Sequence, residues 1–266
     1  MRNLRLLGVF IATFGLTACL NSTTLVKLKT DGSGTIEQTT LMNTAALKGL
    51  GGSQAQANAG PLTNRADLER AAERMGKGVK LVSTEPAKGA PGWEGTKAIF
   101  SFDDVNQIQI NTEPNMGASD SPLGAAPKDD PVKFKFTRNG ATSTLSIDFI
   151  DKPGAGAKPS TAQPPEMPDI TNPMIMGMLK TMFQGLKITV DLEVVGTIVK
   201  TNAAYLTGPR MTLLEVDMGE LLADEANLKA LQGKIGPDAS FSEMKPYLKD
   251  IKGIKIDGPS IRVEFR

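Results

Sequence analysis

Few side chains in this chain of 266 residues are equipped for chemistry. There is no His, the residue most used as general base and zinc ligand at neutral pH. The single Cys excludes an internal disulfide and a thiolate metal cluster. Ser242-Glu243-Met244-Lys245 has the Ser-x-x-Lys spacing of penicillin-recognising enzymes, but the Ser-Asp-Asn and Lys-Thr-Gly elements that complete such a site do not occur. Ser240-Phe241-Ser242-Glu243 reads instead as a helix capping box. Asp31, Ser33, Thr35 and Glu37 alternate as calcium ligands do, yet a calcium loop needs Gly sixth and Glu twelfth, where this chain has Ile36 and Met42. A hairpin turn is the better reading. Asp103-Asp104 and Asp129-Asp130 read as solvated loop ends, and no phosphate-binding loop or dinucleotide fingerprint is present. These absences lead to the expectation of a protein that is not an enzyme and uses neither metal nor cofactor.

Cys19 is the residue with a defined chemistry. Met1–Arg5 carries Arg2 and Arg5, Leu6–Leu16 is an apolar run, and Thr17 and Ala18 lead to the cysteine, which is the pattern of an export signal. A helix of the run's length would span about 16 Å, half a bilayer core, so a retained transmembrane helix is not expected. Leu16-Thr17-Ala18-Cys19 resembles the bacterial lipobox. The resemblance implies that residues 1–18 are a lipoprotein signal peptide and that Cys19 is acylated through its sulfur and becomes the new N-terminus. Several palmitate-like chains on one residue anchor a protein permanently. Leu20, standing where Asp would signal inner-membrane retention, implies the outer membrane in a Gram-negative host. With 30 Lys+Arg against 29 Asp+Glu, no basic field favours nucleic acid.

The rest of the chain must present that anchor. With 40% apolar and 22% charged residues, its composition is globular. Leu25–Thr30 and Thr35–Met42 read as strands around Asp31-Gly32-Ser33-Gly34, and Leu62–Met75 as a helix stopped by Gly76. Val79–Thr84 and Thr96–Phe102 read as strands joined by the Pro/Gly-rich Glu85–Gly95. Val132–Ile150 reads as a hairpin turning at Asn139-Gly140, which predicts Phe134 opposite Leu145 and Val132 opposite Ile147. In Leu186–Val194 the residues Leu186, Ile188, Val190, Leu192 and Val194 face the core, while Lys187, Thr189, Asp191 and Glu193 face water. Met211–Val216, Ile254–Ile256 and Ile261–Phe265 add strands, and Met218–Ile235 and Ser240–Ile251 add helices. The predicted class is α+β: a mostly antiparallel or mixed sheet of short strands with several helices packed on one face. Residues 19–266 are expected to form a single envelope domain with flexible insertions near 103–131 and 151–173.

The lipobox, the hairpin on Asp31-Gly32-Ser33-Gly34-Thr35-Ile36, and the strand running into Val195-Gly196-Thr197-Ile198-Val199-Lys200-Thr201-Asn202-Ala203 together resemble the LppM-like domain of bacterial lipoproteins. The similarity covers most of the mature chain as an order of elements, and the two insertions depart from a compact version of that domain. It implies an α+β, membrane-anchored envelope domain and carries over no catalytic residues.

Met167, Met174, Met176, Met178 and Met182 crowd together, and Pro173–Phe183 is apolar nearly all round if helical. Two readings stay open. The segment is a short core helix, or Met174, Met176, Met178, Met182 and Phe183 form an apolar face for a lipid, peptide or protein, since thioethers repack readily. The expected function is a non-catalytic, lipid-anchored binding or assembly module of the cell envelope. Its expected partners are the membrane, through Cys19, and an envelope protein or lipid. An envelope carrier of a hydrophobic ligand is the alternative, and a hydrolase a more distant one.

Overall fold

The computed structural model describes residues 20–44, 64–110, 132–149, 174, 176–177, 180, 183, 185–224, 248, 251–258 and 260–266. Leu20–Lys29 (β1) and Gly34–Asn43 (β2) form a long antiparallel hairpin with Leu20 opposite Met42 and Leu28 opposite Gly34. A short helix, Arg65–Met75 (α1), follows; the Asn64 side chain accepts the Ala66 N–H and caps it. Lys80–Lys88 (β3) and Trp93–Phe102 (β4) make a second hairpin, and β4 lies along β2. Later in the chain, Lys187–Val195 (β8) lies parallel to β1, with Asn21 beside Lys187. Leu206–Thr207 (β10), Arg210–Asp217 (β11) and Ile254–Ile256 (β12) complete an eight-stranded mixed sheet in the order β10-β11-β8-β1-β2-β4-β3, with β12 also on β11.

A second sheet has five strands: Gln109–Ile110 (β5), Val132–Asn139 (β6), Thr142–Phe149 (β7), Ser260–Phe265 (β13) and Ile198–Thr201 (β9), in that spatial order. One apolar core joins the two sheets. Val26, Leu28, Ile36, Phe100, Phe102, Leu192 and Val194 come from the first sheet, and Val132, Phe134, Leu145, Ile147, Ile261, Val263 and Phe265 from the second. The core therefore gathers at the end of β1 that leads into the β1–β2 turn. At the opposite end the same face turns polar, with Ser22, Thr24, Gln38, Thr40 and Thr96. The Ser143 hydroxyl donates to the Thr30 carbonyl at 2.7 Å, fastening the second sheet to that turn.

The expected α+β class is corrected. Among the described residues the chain is mostly β, in two sheets, and the helices described in full are α1 and Met218–Ala223 (α2), not several helices on one sheet face. Period-two alternation shows that one face is covered without saying by what, and a second sheet covers it as well as helices do. The mixed strand order is found, through the parallel β1–β8 pair. The hairpin at Asn139 also needs a correction: Phe134 pairs Ile147, Phe136 pairs Leu145, and Val132 pairs Phe149. Asn139, expected in the turn, pairs instead with Thr142, and Gly140 enters the left-handed region at φ 60°, so the loop is Gly140-Ala141, one residue later than expected. The slip is one residue on each strand, which keeps the same residues facing inward. Of the expected 103–131 insertion, residues 103–110 are ordered as a 3-10 turn and β5, while 111–131 and 151–173 lie outside the described residues.

Candidate functional site

The proposed lipid site, Cys19, lies outside the described residues, but the strand it leads into does not. Leu20 is buried and already paired with Met42, and Met42 is paired in turn with Glu94 on β4. One row further toward Cys19, Asn43 pairs with Trp93. Trp93, the sole tryptophan, closes the β3–β4 turn: its N–H donates to the Ala90 carbonyl at 2.8 Å and its carbonyl accepts the Gly89 N–H at 3.0 Å. Thr44 donates to the Gly92 carbonyl through both its N–H, at 2.8 Å, and its hydroxyl, at 3.1 Å. Glycine is required where chains crowd: a Cβ on Gly95 would sit 1.9 Å from the Thr40 carbonyl oxygen, and one on Gly185 would sit 2.7 Å from Trp93 Cζ2. Gly185 leads into β8, and β1 and β2 lie between β8 and β4, so this indole contact closes over the end at which β1 begins.

The Met-rich segment also enters the sheet here. Phe183 is half-buried, and its carbonyl accepts the Leu186 N–H at 3.1 Å. Met176 is 4% exposed without belonging to the core between the sheets, whereas Met174 is 83% exposed. The two expected readings thus divide between neighbouring residues. Met178 and Met182 lie outside the described residues.

The outer face of the large sheet carries ions in cross-strand groups. Glu37 meets Lys27 at 2.5 Å and Lys97 at 2.9 Å; burial pushes its carboxyl up, but hydrogen bonds from the two lysines outweigh this and hold it below the usual range. The Glu37 hydrogen bond in turn raises Lys97. Glu215 meets Lys255 at 2.9 Å and Lys187 at 3.6 Å, and raises Lys255. Glu193 holds Arg210 at 2.7 Å. Asp191 departs from this pattern. Expected in water, it is 7% exposed, and its Oδ1 has no hydrogen-bond partner. Burial raises its pKa against the opposing pull of the Thr212 hydrogen bond and the Arg210 charge. Thr189, also expected in water, is buried too. Among the described residues no three potential ligands gather for a metal, and no helix is long and apolar enough to cross a membrane.

Sequence reasoning missed two features. The Gly89–Trp93 turn passed as part of a Pro/Gly-rich joint, although a lone Trp closing an uncharged run was a visible signal. The burial of Asp191 had no sequence signal, because its neighbours fit a solvated face.

Among the described residues the geometry defines a two-sheet, mostly β protein whose large sheet includes Leu20, the residue directly after Cys19. No protein-family model matches the chain, and no curated protein matches it significantly. Among solved structures it is similar to the NMR structure of the folded domain of LppM from Mycobacterium tuberculosis, at 10% identity and a TM-score of 0.35, over 93% of this chain and 90% of that one. A TM-score of that size does not define a common fold, so the likeness adds nothing to the site.

Proposed function

We propose that the chain is a non-catalytic, lipid-anchored binding or assembly module of the bacterial cell envelope, held in the outer membrane where the host has two. One observation carries this reading. The only cysteine ends an export-signal pattern and stands directly before Leu20, the buried first residue of a paired strand. The first strand thus reaches to the residue next to the one where the lipid would attach. The pairing of Glu37, Glu193 and Glu215 with cations across strands supports a structural use of the sheet's charges over a catalytic one. Fatty-acid labelling in a bacterial host, followed by fractionation, tests the anchor. Wild-type protein is expected to be labelled and membrane-bound, and Cys19→Ser to remain an unlabelled precursor or turn soluble. A cleaved, labelled, membrane-bound Cys19→Ser protein would overturn the reading. Mild crosslinking and pull-down from membranes then identifies the partner.

A further inference from the structure

We propose that the Gly89–Trp93 turn rests in the headgroup layer of the membrane, with the Trp93 indole as a second, non-covalent anchor beside the lipid; this rests on the attachment at Cys19 proposed above. Residue 19 is one Cα step, about 3.8 Å, from Leu20. Trp93 lies two strands across, in the row one residue nearer Cys19, so at about 4.8 Å per strand it is roughly 10 Å from the point where the anchor joins the sheet. A tether this short cannot hold the turn far above the bilayer surface.

The turn is also composed for that surface. Gly89, Ala90, Pro91 and Gly92 are uncharged, and all four are exposed. The flanking ions of the hairpin, Lys88 and Glu94, pair with each other in the adjoining row. The turn itself therefore carries no charge to desolvate on entering the headgroups. The Ala90, Gly92 and Trp93 carbonyls already accept hydrogen bonds, which lowers the cost of taking backbone out of water. Trp93 is half-buried, its indole packed near Gly185, and an amphipathic ring at the rim of an apolar phase is the arrangement tryptophan favours. The β1–β2 turn at the other end of the sheet could not serve, because Asp31 is exposed there and its carboxyl is held low by the Ser33 hydroxyl.

Because the chain has one Trp, its indole emission reports this position alone. The full chain, processed in a bacterial host, is reconstituted into phosphatidylethanolamine–phosphatidylglycerol vesicles containing lipids that carry a nitroxide either near the headgroup or at the chain end. The acylation state of the same sample is read by mass spectrometry. The expected result is acylated Cys19 with emission reduced about twofold by the shallow nitroxide and less by the deep one, as for an indole at the interface. Acylated protein whose emission neither nitroxide changes overturns this inference and leaves the lipid anchor standing. Protein without acyl groups overturns the anchor and this inference with it.

Discussion

At the β1–β2 turn, Asp31 accepts hydrogen bonds from the Ser33 N–H at 2.9 Å and the Ser33 hydroxyl at 2.7 Å, and the Gly32 carbonyl accepts the Val105 N–H. A Cβ on Gly32 would meet the Phe136 ring at 2.9 Å. At the β3–β4 turn, by contrast, Gly89-Ala90-Pro91-Gly92 has no charge and lies exposed. The two turns belong to neighbouring hairpins of one sheet but point to opposite ends of it. The first is completed by the protein's own second sheet. The second is satisfied only in its backbone and leaves its surface open, which is the difference between a turn held against a second sheet with its charge in water and a turn available to a membrane.

Substitutions can break or sharpen this contrast. The largest effect is expected at the packed end: Gly34→Val drives a Cβ to 2.0 Å from the Lys27 carbonyl oxygen and should cost about 4 kcal/mol in urea unfolding. Pro91→Ser at the open turn should stay within about 0.5 kcal/mol. Equal costs would erase the distinction. Next comes the Met-rich segment, where Met176→Asp buries an unpaired carboxylate and should cost about 3 kcal/mol, while Met174→Asp leaves the thermal midpoint nearly unchanged.

The outer face gives smaller effects. A folded pKa raised above 3.8 lets Asp191 hold a proton that the unfolded chain has lost, so its contribution is full at low pH and fades as pH rises through the folded value. Asp191→Asn should therefore gain about 1 kcal/mol at pH 7 and flatten the fall in stability on that side, as read from unfolding curves across pH. Glu37, held below 4.5, works in the opposite sense: its contribution is present above 4.5 and is lost as pH falls through the lower folded value. Lys97→Met, at a partly exposed pair, should cost less than about 1 kcal/mol, measured by urea unfolding at low salt.

Most strands were legible because their alternation is strict. Val132, Phe134, Leu145, Ile147, Ile261 and Val263 all turned inward as their period-two pattern requires. What the pattern could not convey was the identity of the covering layer, so helices were expected where a second sheet, itself read correctly as strands, does the covering. Nor could it tell which residue of Asn139-Gly140-Ala141 opens the loop, since both registers bury the same side chains. For the site, the proposal at Cys19 rests on local sequence alone, because a modification motif is read without a fold. Trp93 acquires meaning only through the register that carries Leu20 to Met42 and Asn43 to Trp93, a link between residues some seventy positions apart. Asp191 was misplaced for a related reason, since burial of a strand's polar side is decided by what packs over it.

The central claim, that the turn at Trp93 faces the bilayer while the opposite end faces water, is tested most directly by two single-cysteine variants. With the Cys19 thiol consumed by the proposed acylation, Ala90→Cys and Asp103→Cys each offer one reactive group, both at exposed positions. In reconstituted vesicles a membrane-impermeant maleimide should label Asp103→Cys readily and Ala90→Cys poorly, and detergent should equalise the two. Equal labelling of both in intact vesicles would contradict the account.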